Sequence, residues 1–254
     1  MSIVLFEKDG AVGVVTLAKP PHNLIDEALL QGLLEAYQRA QDEGCRSILL
    51  RSGMRHFCAG ADVEGFKGGG RRRDQAGFEK LLDALENVPL PSVAAVHGAA
   101  LGGGLELAVA CDMIIAADTA SFGMAEASLG LLPLLGGVQR VVQRVGPARA
   151  KELAMFGRRN DPVALERWGL INLVVAESEL PVASMSWARQ LAAGPTVAIV
   201  GIKKLANLSA RHGIAGADAQ QTDVSNRMWE SADSRRGLAA FMATGPGSAV
   251  FQGD

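Results

Sequence analysis

The chain has 254 residues, of which 48% are apolar and 20% charged, and its formal net charge is −2. This length suits one large domain or one domain with an appendage, and the apolar content excludes a disordered chain. The near-zero net charge does not indicate a protein that binds nucleic acid or anionic membranes.

The first part of the chain predicts strands that alternate with helices. Residues 3–7 and 12–18 are β-rich runs around the turn signal Asp9-Gly10, which predicts a hairpin. A helix is expected over about 26–42, followed by a short apolar strand over 47–51. A second predicted helix ends before two prolines and carries an apolar stripe made of Phe78, Leu81, Leu82 and Leu85.

The pattern continues with a strand over 92–96, a glycine-rich turn, a helix near 104–110 and a strand over 113–117. Strands that alternate with helices in this way predict an α/β fold with buried parallel strands. From about Gly194-Pro195 onward the pattern is nearly all helical. We therefore expect a core that carries the site over 1–194 and a helical region over 195–254.

The cysteines and one long uncharged stretch indicate the cellular compartment that we expect for the protein. Cys45, Cys58 and Cys111 are odd in number and widely spaced, so they predict neither a disulfide framework nor a zinc site. A reducing, cytoplasmic compartment is the expectation. The uncharged stretch between Glu86 and Glu106 contains prolines and glycines, so we expect buried interior and no membrane span.

Common catalytic motifs fail on spacing. The turn over 98–104 follows a strand and opens a helix, but Leu107 stands where a dinucleotide-binding loop needs its third glycine. The chain has no phosphate-binding P-loop, no nucleophile elbow and no zinc-protease motif. The histidines lack the spacing of metal ligands and are expected to be structural or surface residues: His22, His56, His97 and His212.

Two segments place small residues where the chain turns, over 56–62 and 101–106. Small residues let a ligand approach the backbone, and a helix N-terminus offers free N–H groups to a polarised oxygen. Two such groups from separate loops would form an oxyanion hole. The alternative is that these glycines only allow close packing of a helix against a sheet.

Two isolated acids lie in apolar surroundings, Glu106 at a predicted helix start and Glu126 in the segment 122–127. Burial raises the pKa of a carboxyl, and mutual repulsion separates the protonation states of a close pair, which suits acid/base chemistry. The alternative for each acid is a buried ion pair with an arginine.

These residues carry a resemblance to a known family. The chain resembles the enoyl-CoA hydratase/isomerase (crotonase) superfamily along essentially its whole length. The resemblance rests on segments that occur in the family's order: Lys19 to Asn23, His56 to Asp62, Val96 to Ala108, Cys111-Asp112, Phe122 to Glu126, Leu129 to Pro133, Gly136 to Arg140, Ser231 to Asp233, Gly237 and Ala240-Phe241.

The resemblance implies a spiral of ββα units followed by a helical trimerisation region, assembled as a homotrimer or a homohexamer. It implies an enzyme acting on an acyl-CoA, with coenzyme A as part of the substrate and no separate cofactor or metal. The backbone N–H groups of Ala61 and Gly103 would bind the thioester oxygen. Glu106 would orient and deprotonate a water, and Glu126 would protonate C2. Substrate contacts would come from Ala59, Gly60, Ala61, Asp62, Val63, Leu101, Gly103 and Leu134.

The sequence departs from the family pattern at three places. Leu134 and Leu135 follow Pro133 where relatives often have small residues, and the backbone N–H at Leu134 helps hold the water in hydratases. Glu64 replaces a frequent lysine. The tail over 241–246 lacks a Lys/Arg pair that is often found there and that would contact coenzyme A phosphates.

Two alternatives stay open. A Δ3-Δ2-enoyl-CoA isomerase commonly needs one carboxylate, so the presence of two favours a hydratase, although a shared fold does not fix the reaction. An RNA-binding or scaffold role would use the one strong basic run, Arg71 to Arg73, which follows Gly68 to Gly70. A solvated loop explains that run more simply, and coenzyme A phosphates are a further possible ligand.

Overall fold

The computed structural model describes residues 2–62 and 82–254. Its main sheet has six strands in the order β1-β2-β3-β4-β6-β8. Their bounds are β1 Val4–Asp9, β2 Val12–Leu17, β3 Ser47–Ser52, β4 Ser92–Val96, β6 Met113–Ala117 and β8 Leu173–Val175. The first pair is an antiparallel hairpin and every later pair is parallel, which confirms the predicted α/β fold.

Helix α1, Glu27–Asp42, follows the hairpin and covers one face of the sheet. Asp26 caps it, because its side chain accepts the N–H of Leu29 at 2.9 Å. The leucines at positions 29, 30 and 33 have no exposed surface. The predicted apolar stripe therefore faces the core, as helical spacing requires.

A second, two-stranded sheet lies beside the main one. Its parallel strands are β5, Ala99–Leu101, and β7, Ser121–Gly123, with Leu101 opposite Gly123. Between them comes α2, Gly103–Ala110, in which every residue is buried. A helix that is apolar on all sides can lie only in the interior, and this position brings its N-terminus to the end of the small sheet.

The remaining helices follow in chain order. They are α3 Gly137–Phe156, α4 Pro162–Trp168, α5 Leu180–Ala193, α6 Thr196–Glu230 and α7 Ala232–Thr244, with short 3-10 turns at Glu126–Leu129 and Glu177–Glu179. Helix α3 is broken at Gly146 and α6 at Gly213, where the backbone is non-helical. In the second predicted helix, only residues 82–86 are described as helical, and Phe78 and Leu81 lie outside the described residues.

Polar side chains tie the last helices to the sheet. Arg46, just before β3, donates to the Thr196 hydroxyl at 2.9 Å and to the Phe251 carbonyl at 3.1 Å. Lys203 on α6 is nearly buried and donates to Asp112 and to the Leu90 carbonyl, each at 2.9 Å. The C-terminal helices are therefore bonded to the core at the N-terminal ends of β3, β4 and β6.

No single helix in the part of the chain that the structure describes is long and apolar enough to cross a membrane. The segments Glu177–Ala193 and Thr196–Glu230 meet that criterion only together, and they are bent by 108° relative to each other.

Candidate active site

Four stretches of chain that are distant in sequence meet at the N-terminus of α2. The stretch before Ala61 is bonded to β5, because the Cys58 carbonyl accepts the Leu101 N–H at 3.1 Å. The N–H of Gly102 donates to the Gly123 carbonyl at 2.8 Å, which brings in the segment that leads to Glu126. The fourth stretch is the turn before α3, which contacts Glu106.

The two predicted oxyanion donors are neighbours. A Cβ atom placed on Gly103 would lie 3.8 Å from the Ala61 nitrogen and 2.8 Å from the Ile25 side chain. A parallel bridge positions this stretch, since Ile25 donates to the Gly60 carbonyl and accepts the Asp62 N–H, each at 2.9 Å. The N–H groups of Ala61 and Gly103 donate to no other described residue. They are available to a ligand oxygen.

Gly104 sets how closely α2 approaches this stretch. A Cβ atom there would overlap the Cys58 carbonyl oxygen and lie 2.9 Å from the carbonyl carbon. The packing alternative for these glycines is therefore correct for Gly104. Gly103 lies against Ile25 and beside the Ala61 nitrogen, whereas Gly104 lies against the Cys58 backbone.

Glu106 lies on the first turn of α2 and is 2% exposed. Its Oε1 accepts the N–H groups of Gly137 at 2.7 Å and Leu135 at 3.0 Å, while its Oε2 accepts none from the described residues. The pKa of Glu106 is raised from 4.5 to about 7, because burial and, to a smaller extent, the charge of Glu126 raise it more than the two N–H bonds and the charge of Arg140 lower it. The carboxyl is therefore fixed through one oxygen and poised to exchange a proton near neutral pH.

Glu126 begins a 3-10 turn, and its side chain lies against Gly102. A Cβ atom on Gly102 would be 2.6 Å from the Glu126 Oε1, and the φ of +51° at Gly102 is one that side chains rarely adopt. The Glu126 Oε2 is buried and has no hydrogen-bond partner among the described residues. Burial raises the pKa of this carboxyl as well, so a buried, unpaired oxygen favours the protonated form.

The ion-pair alternative for Glu106 is wrong among the described residues. The nearby arginine, Arg140, pairs with Glu86 instead, at 2.6 Å. Glu106 receives backbone N–H groups where the alternative expected a guanidinium. Backbone N–H groups bind a carboxylate without adding a full positive charge beside it. They therefore lower its pKa less than a guanidinium would, and burial can still raise that pKa.

The other predicted contact residues divide into three groups. Ala59 donates its N–H to the His22 carbonyl at 3.0 Å, and Asp62 lies 4.0 Å from the Lys19 ammonium, so both stabilise the stretch that carries Ala61. Leu101 and Leu134 are partly exposed near the α2 N-terminus and the α3 turn. Val63, Glu64 and the basic run over 71–73 lie outside the described residues.

Two residues hold Glu106 through their backbone N–H groups, and the sequence did not predict this role for either of them. They are Leu135 and Gly137. Gly137 belongs to the segment Gly136 to Arg140 that carries the family resemblance, and α3 begins at this residue. A Cβ atom on Gly137 would be 2.8 Å from the Glu106 Oε1. The glycine pair was the available signal, because a glycine before a helix often marks a close approach to its backbone.

Two of the four histidines, His56 and His97, lie within hydrogen-bond distance of backbone groups. The His97 Nε2 lies 2.8 Å from the Met54 carbonyl, and the His56 Nδ1 accepts the Ala99 N–H at 3.3 Å. The rings of His22 and His56 lie 5.4 Å apart. Across residues 2–62 and 82–254, no group of three or more His, Cys, Asp and Glu side chains could hold a metal ion.

The raised pKa of Glu106 predicts a specific dependence of stability on pH. Because the folded protein holds this proton from pH 4.5 to about 7 and the unfolded chain does not, stability falls as pH rises through that window. We expect Glu106→Gln to gain about 3 kcal/mol relative to the wild type between pH 4.5 and 8, at about 1.4 kcal/mol per pKa unit. Urea unfolding at several pH values measures this difference.

The control for that measurement is Glu35→Gln, which changes an exposed carboxyl on α1. Its stability should follow the wild-type pH dependence. Equal pH dependence in the wild type and in Glu106→Gln would contradict a raised pKa at Glu106.

Comparison with known proteins adds independent findings. The profile of the family described as enoyl-CoA hydratase/isomerase matches residues 7–249. The chain is 35% identical to a probable enoyl-CoA hydratase of Rhizobium meliloti (strain 1021), covering 94% of this chain and 95% of the relative. It is 34% identical to a carnitinyl-CoA dehydratase of Proteus mirabilis (strain HI4320), covering 91% and 92%. The solved structure of an enoyl-CoA hydratase from Bacillus anthracis superposes with a TM-score of 0.91 at 27% identity, covering 99% of this chain and 100% of that one.

Proposed function

Since the chain belongs to the enoyl-CoA hydratase/isomerase family, we propose that it adds water across the 2,3-double bond of an enoyl-CoA thioester to give a 3-hydroxyacyl-CoA. One observation favours hydration over the other reactions of the family. Glu106 is fixed through Oε1 and leaves Oε2 for a water, while Glu126 has a buried, unpartnered Oε2 suited to hold a proton. A base and an acid on one site are what hydration needs.

The N–H pair supplies the electrostatic part of the proposed reaction. Attack of water at C3 pushes electrons into the thioester, whose oxygen becomes an enolate oxygen. The N–H groups of Ala61 and Gly103 donate to no described residue, and a Cβ atom on Gly103 would lie 3.8 Å from the Ala61 nitrogen, which supports a shared role for the two groups at that oxygen. Each such donor is typically worth about 3–4 kcal/mol in the transition state.

The proton transfers follow from the two carboxyls. Glu106, with a pKa raised to about 7, is partly ionised near neutral pH and takes a proton from the water at its free oxygen. Glu126, whose pKa burial raises, delivers a proton to C2 and becomes a carboxylate. Water thereby loses a proton to one glutamate and the enolate gains one from the other, and exchange with solvent restores both.

Apolar side chains beside the site suit an acyl chain. The leucines that follow Glu126 are exposed although they are large and apolar: Leu129, Leu131 and Leu132. We assign the thioester end of the substrate to the stretch Ala59 to Val63, with Leu101 and Leu134 as further contacts. Coenzyme A enters as part of the substrate, and the proposed reaction uses no other cofactor.

Assembly and location are proposals of the same kind. Helices α6 and α7 and the tail after them expose large apolar side chains, which supports self-association as a homotrimer or a homohexamer: Ile202, Ile214, Trp229, Leu238, Phe241, Met242 and Val250. The cytoplasmic location expected from the cysteines stays a prediction.

The direct test follows the absorbance of the conjugated thioester. We expect the purified protein to remove the absorbance of crotonyl-CoA and of longer 2-enoyl-CoA esters, with 3-hydroxyacyl-CoA as the product identified by mass. A 3-enoyl-CoA is the comparison substrate. Conversion of the 3-enoyl ester to the conjugated ester, without hydration of any 2-enoyl ester, would replace the hydratase by the isomerase alternative.

A further inference from the structure

A partly buried ion network lies next to the Glu106 site. The Glu86 carboxylate accepts from Arg140 at two nitrogens, Nε at 3.1 Å and Nη2 at 2.6 Å, through its Oε2. Arg211 of α6 donates to the same oxygen at 2.5 Å. The side chains of Arg140 and Glu86 are 12% and 13% exposed, so this pair is screened little by solvent. The guanidinium of Arg140 is therefore held in one place.

The other end of the Arg140 guanidinium reaches the turn before α3. Its Nη1 donates to the Gly136 carbonyl at 3.2 Å, and a Cβ atom on Gly136 would lie 2.7 Å from that nitrogen. Gly136 has a φ of +88°, a conformation that glycine adopts readily and other residues rarely adopt. The next residue, Gly137, gives its N–H to Glu106 at 2.7 Å. Arg140 thus holds the turn whose following N–H fixes the carboxyl.

We propose that Arg140, held by Glu86, is a positioning residue that keeps the Gly136-Gly137 turn against the Glu106 carboxyl. The proposal rests on the proposed function in one respect, that Glu106 is the base. Arg140 does not contact Glu106 through a hydrogen bond. It acts through the turn and through its charge.

Two charged side chains act on Glu106 among the described residues, Glu126 in the 3-10 turn and Arg140 in α3. Burial is the largest influence and raises its pKa, and the negative charge of Glu126 also raises it. The N–H groups of Gly137 and Leu135 and the positive charge of Arg140 lower it. Removing Arg140 therefore takes away a charge that favours the ionised base and loosens one of the N–H bonds, so both changes raise the pKa of Glu106.

The test measures the protonation of Glu106 directly. Protein grown with carboxyl-¹³C glutamate is titrated by infrared spectroscopy, and the Glu106 band is assigned by its absence in Glu106→Gln. We expect Arg140→Gln to raise the titration midpoint by about 0.5–1 pH unit, less than the 1–3 units typical of an unshared close charge pair, because Glu86 shares the guanidinium. We also expect kcat for hydration to fall about tenfold with a smaller change in KM.

Two further variants keep the test decisive. Arg149→Gln, on the same helix, removes an arginine that pairs with Glu152 and is 49% exposed, and it should leave the midpoint unchanged. The double variant Glu86→Gln, Arg140→Gln leaves an amide pair in place of the partly buried charges, and its midpoint should also lie above that of the wild type. It guards against the single variant failing to fold.

The outcomes distinguish a failure of the positioning role of Arg140 from a failure of the proposed hydratase reaction. If both Arg140 variants titrate at the wild-type midpoint, the positioning role is overturned whatever the enzyme does. If the wild type hydrates no enoyl-CoA but the midpoint rises as expected, Arg140 positions Glu106 and the proposed reaction fails alone.

Discussion

Glu106→Gln is expected to lower kcat for hydration of a 2-enoyl-CoA by about 10³-fold. The amide cannot take a proton from water, and general-base catalysis typically contributes about 10²–10⁴-fold. Glutamine keeps the oxygen that accepts the N–H groups of Gly137 and Leu135. The protein should therefore keep its fold, and the loss should appear in kcat with little change in KM.

Glu126→Gln is the companion measurement, because the proposed reaction needs both carboxyls. We expect a loss of about 10²-fold or more from this variant. Glu152→Gln alters an exposed carboxyl on α3 and should turn over at the wild-type rate. Wild-type turnover in Glu126→Gln would remove this residue from the reaction. Turnover of a 3-enoyl ester that survives the loss of one glutamate would favour the isomerase alternative.

Gly104→Ala is expected to lower kcat/KM by about 10²-fold without touching a reacting group. The added methyl would overlap the Cys58 carbonyl oxygen, so α2 must move away from the stretch that carries Ala61. That movement separates the two N–H groups from the position of the thioester oxygen. A displacement of about 1 Å at a reacting centre can cost about 100-fold in rate, and losing a single oxyanion donor costs about 10²–10³-fold.

Gly10→Ala separates this effect from a general loss of stability. Gly10 lies in the β1–β2 turn with a φ of +59° and open space around it, so alanine is strained there but far from the site. We expect Gly10→Ala to lower the unfolding midpoint in urea and leave kcat/KM at the wild-type value. If Gly104→Ala lost stability but kept full activity, α2 would not be setting the oxyanion geometry.

Local patterns predicted most of the fold because the elements have strong local signals. The strand over 92–96 matches β4, and the strand over 113–117 matches β6. The helix expected over 26–42 begins one residue later, because Asp26 caps it and lies just outside. The small sheet of β5 and β7 was not predicted. Its strands have three residues each, and three residues give no periodicity that distinguishes a strand from a turn.

The site was predictable in part. Glu106 was identifiable because burying a carboxylate is costly, so a lone acid in a long apolar stretch is usually functional or ion-paired. The structure buries this residue as expected. The residues that hold it could not be found from spacing, because Leu135 and Gly137 contribute backbone N–H groups, which every residue except proline has. The same limit applies to Arg140. An arginine four residues into a helix gives no sign, in sequence, of a partner 54 positions away.

The bonds from Arg46 and Lys203 change the meaning of the boundary near residue 195. Arg46 reaches both Thr196 and Phe251, and Lys203 neutralises Asp112 at the start of β6. If the C-terminal helices were to separate, a largely buried carboxylate would lose its partner, which typically costs about 3–5 kcal/mol. We therefore expect the chain on the two sides of this boundary to unfold together, because the helices that expose large apolar side chains are bonded to the sheet that carries the candidate site.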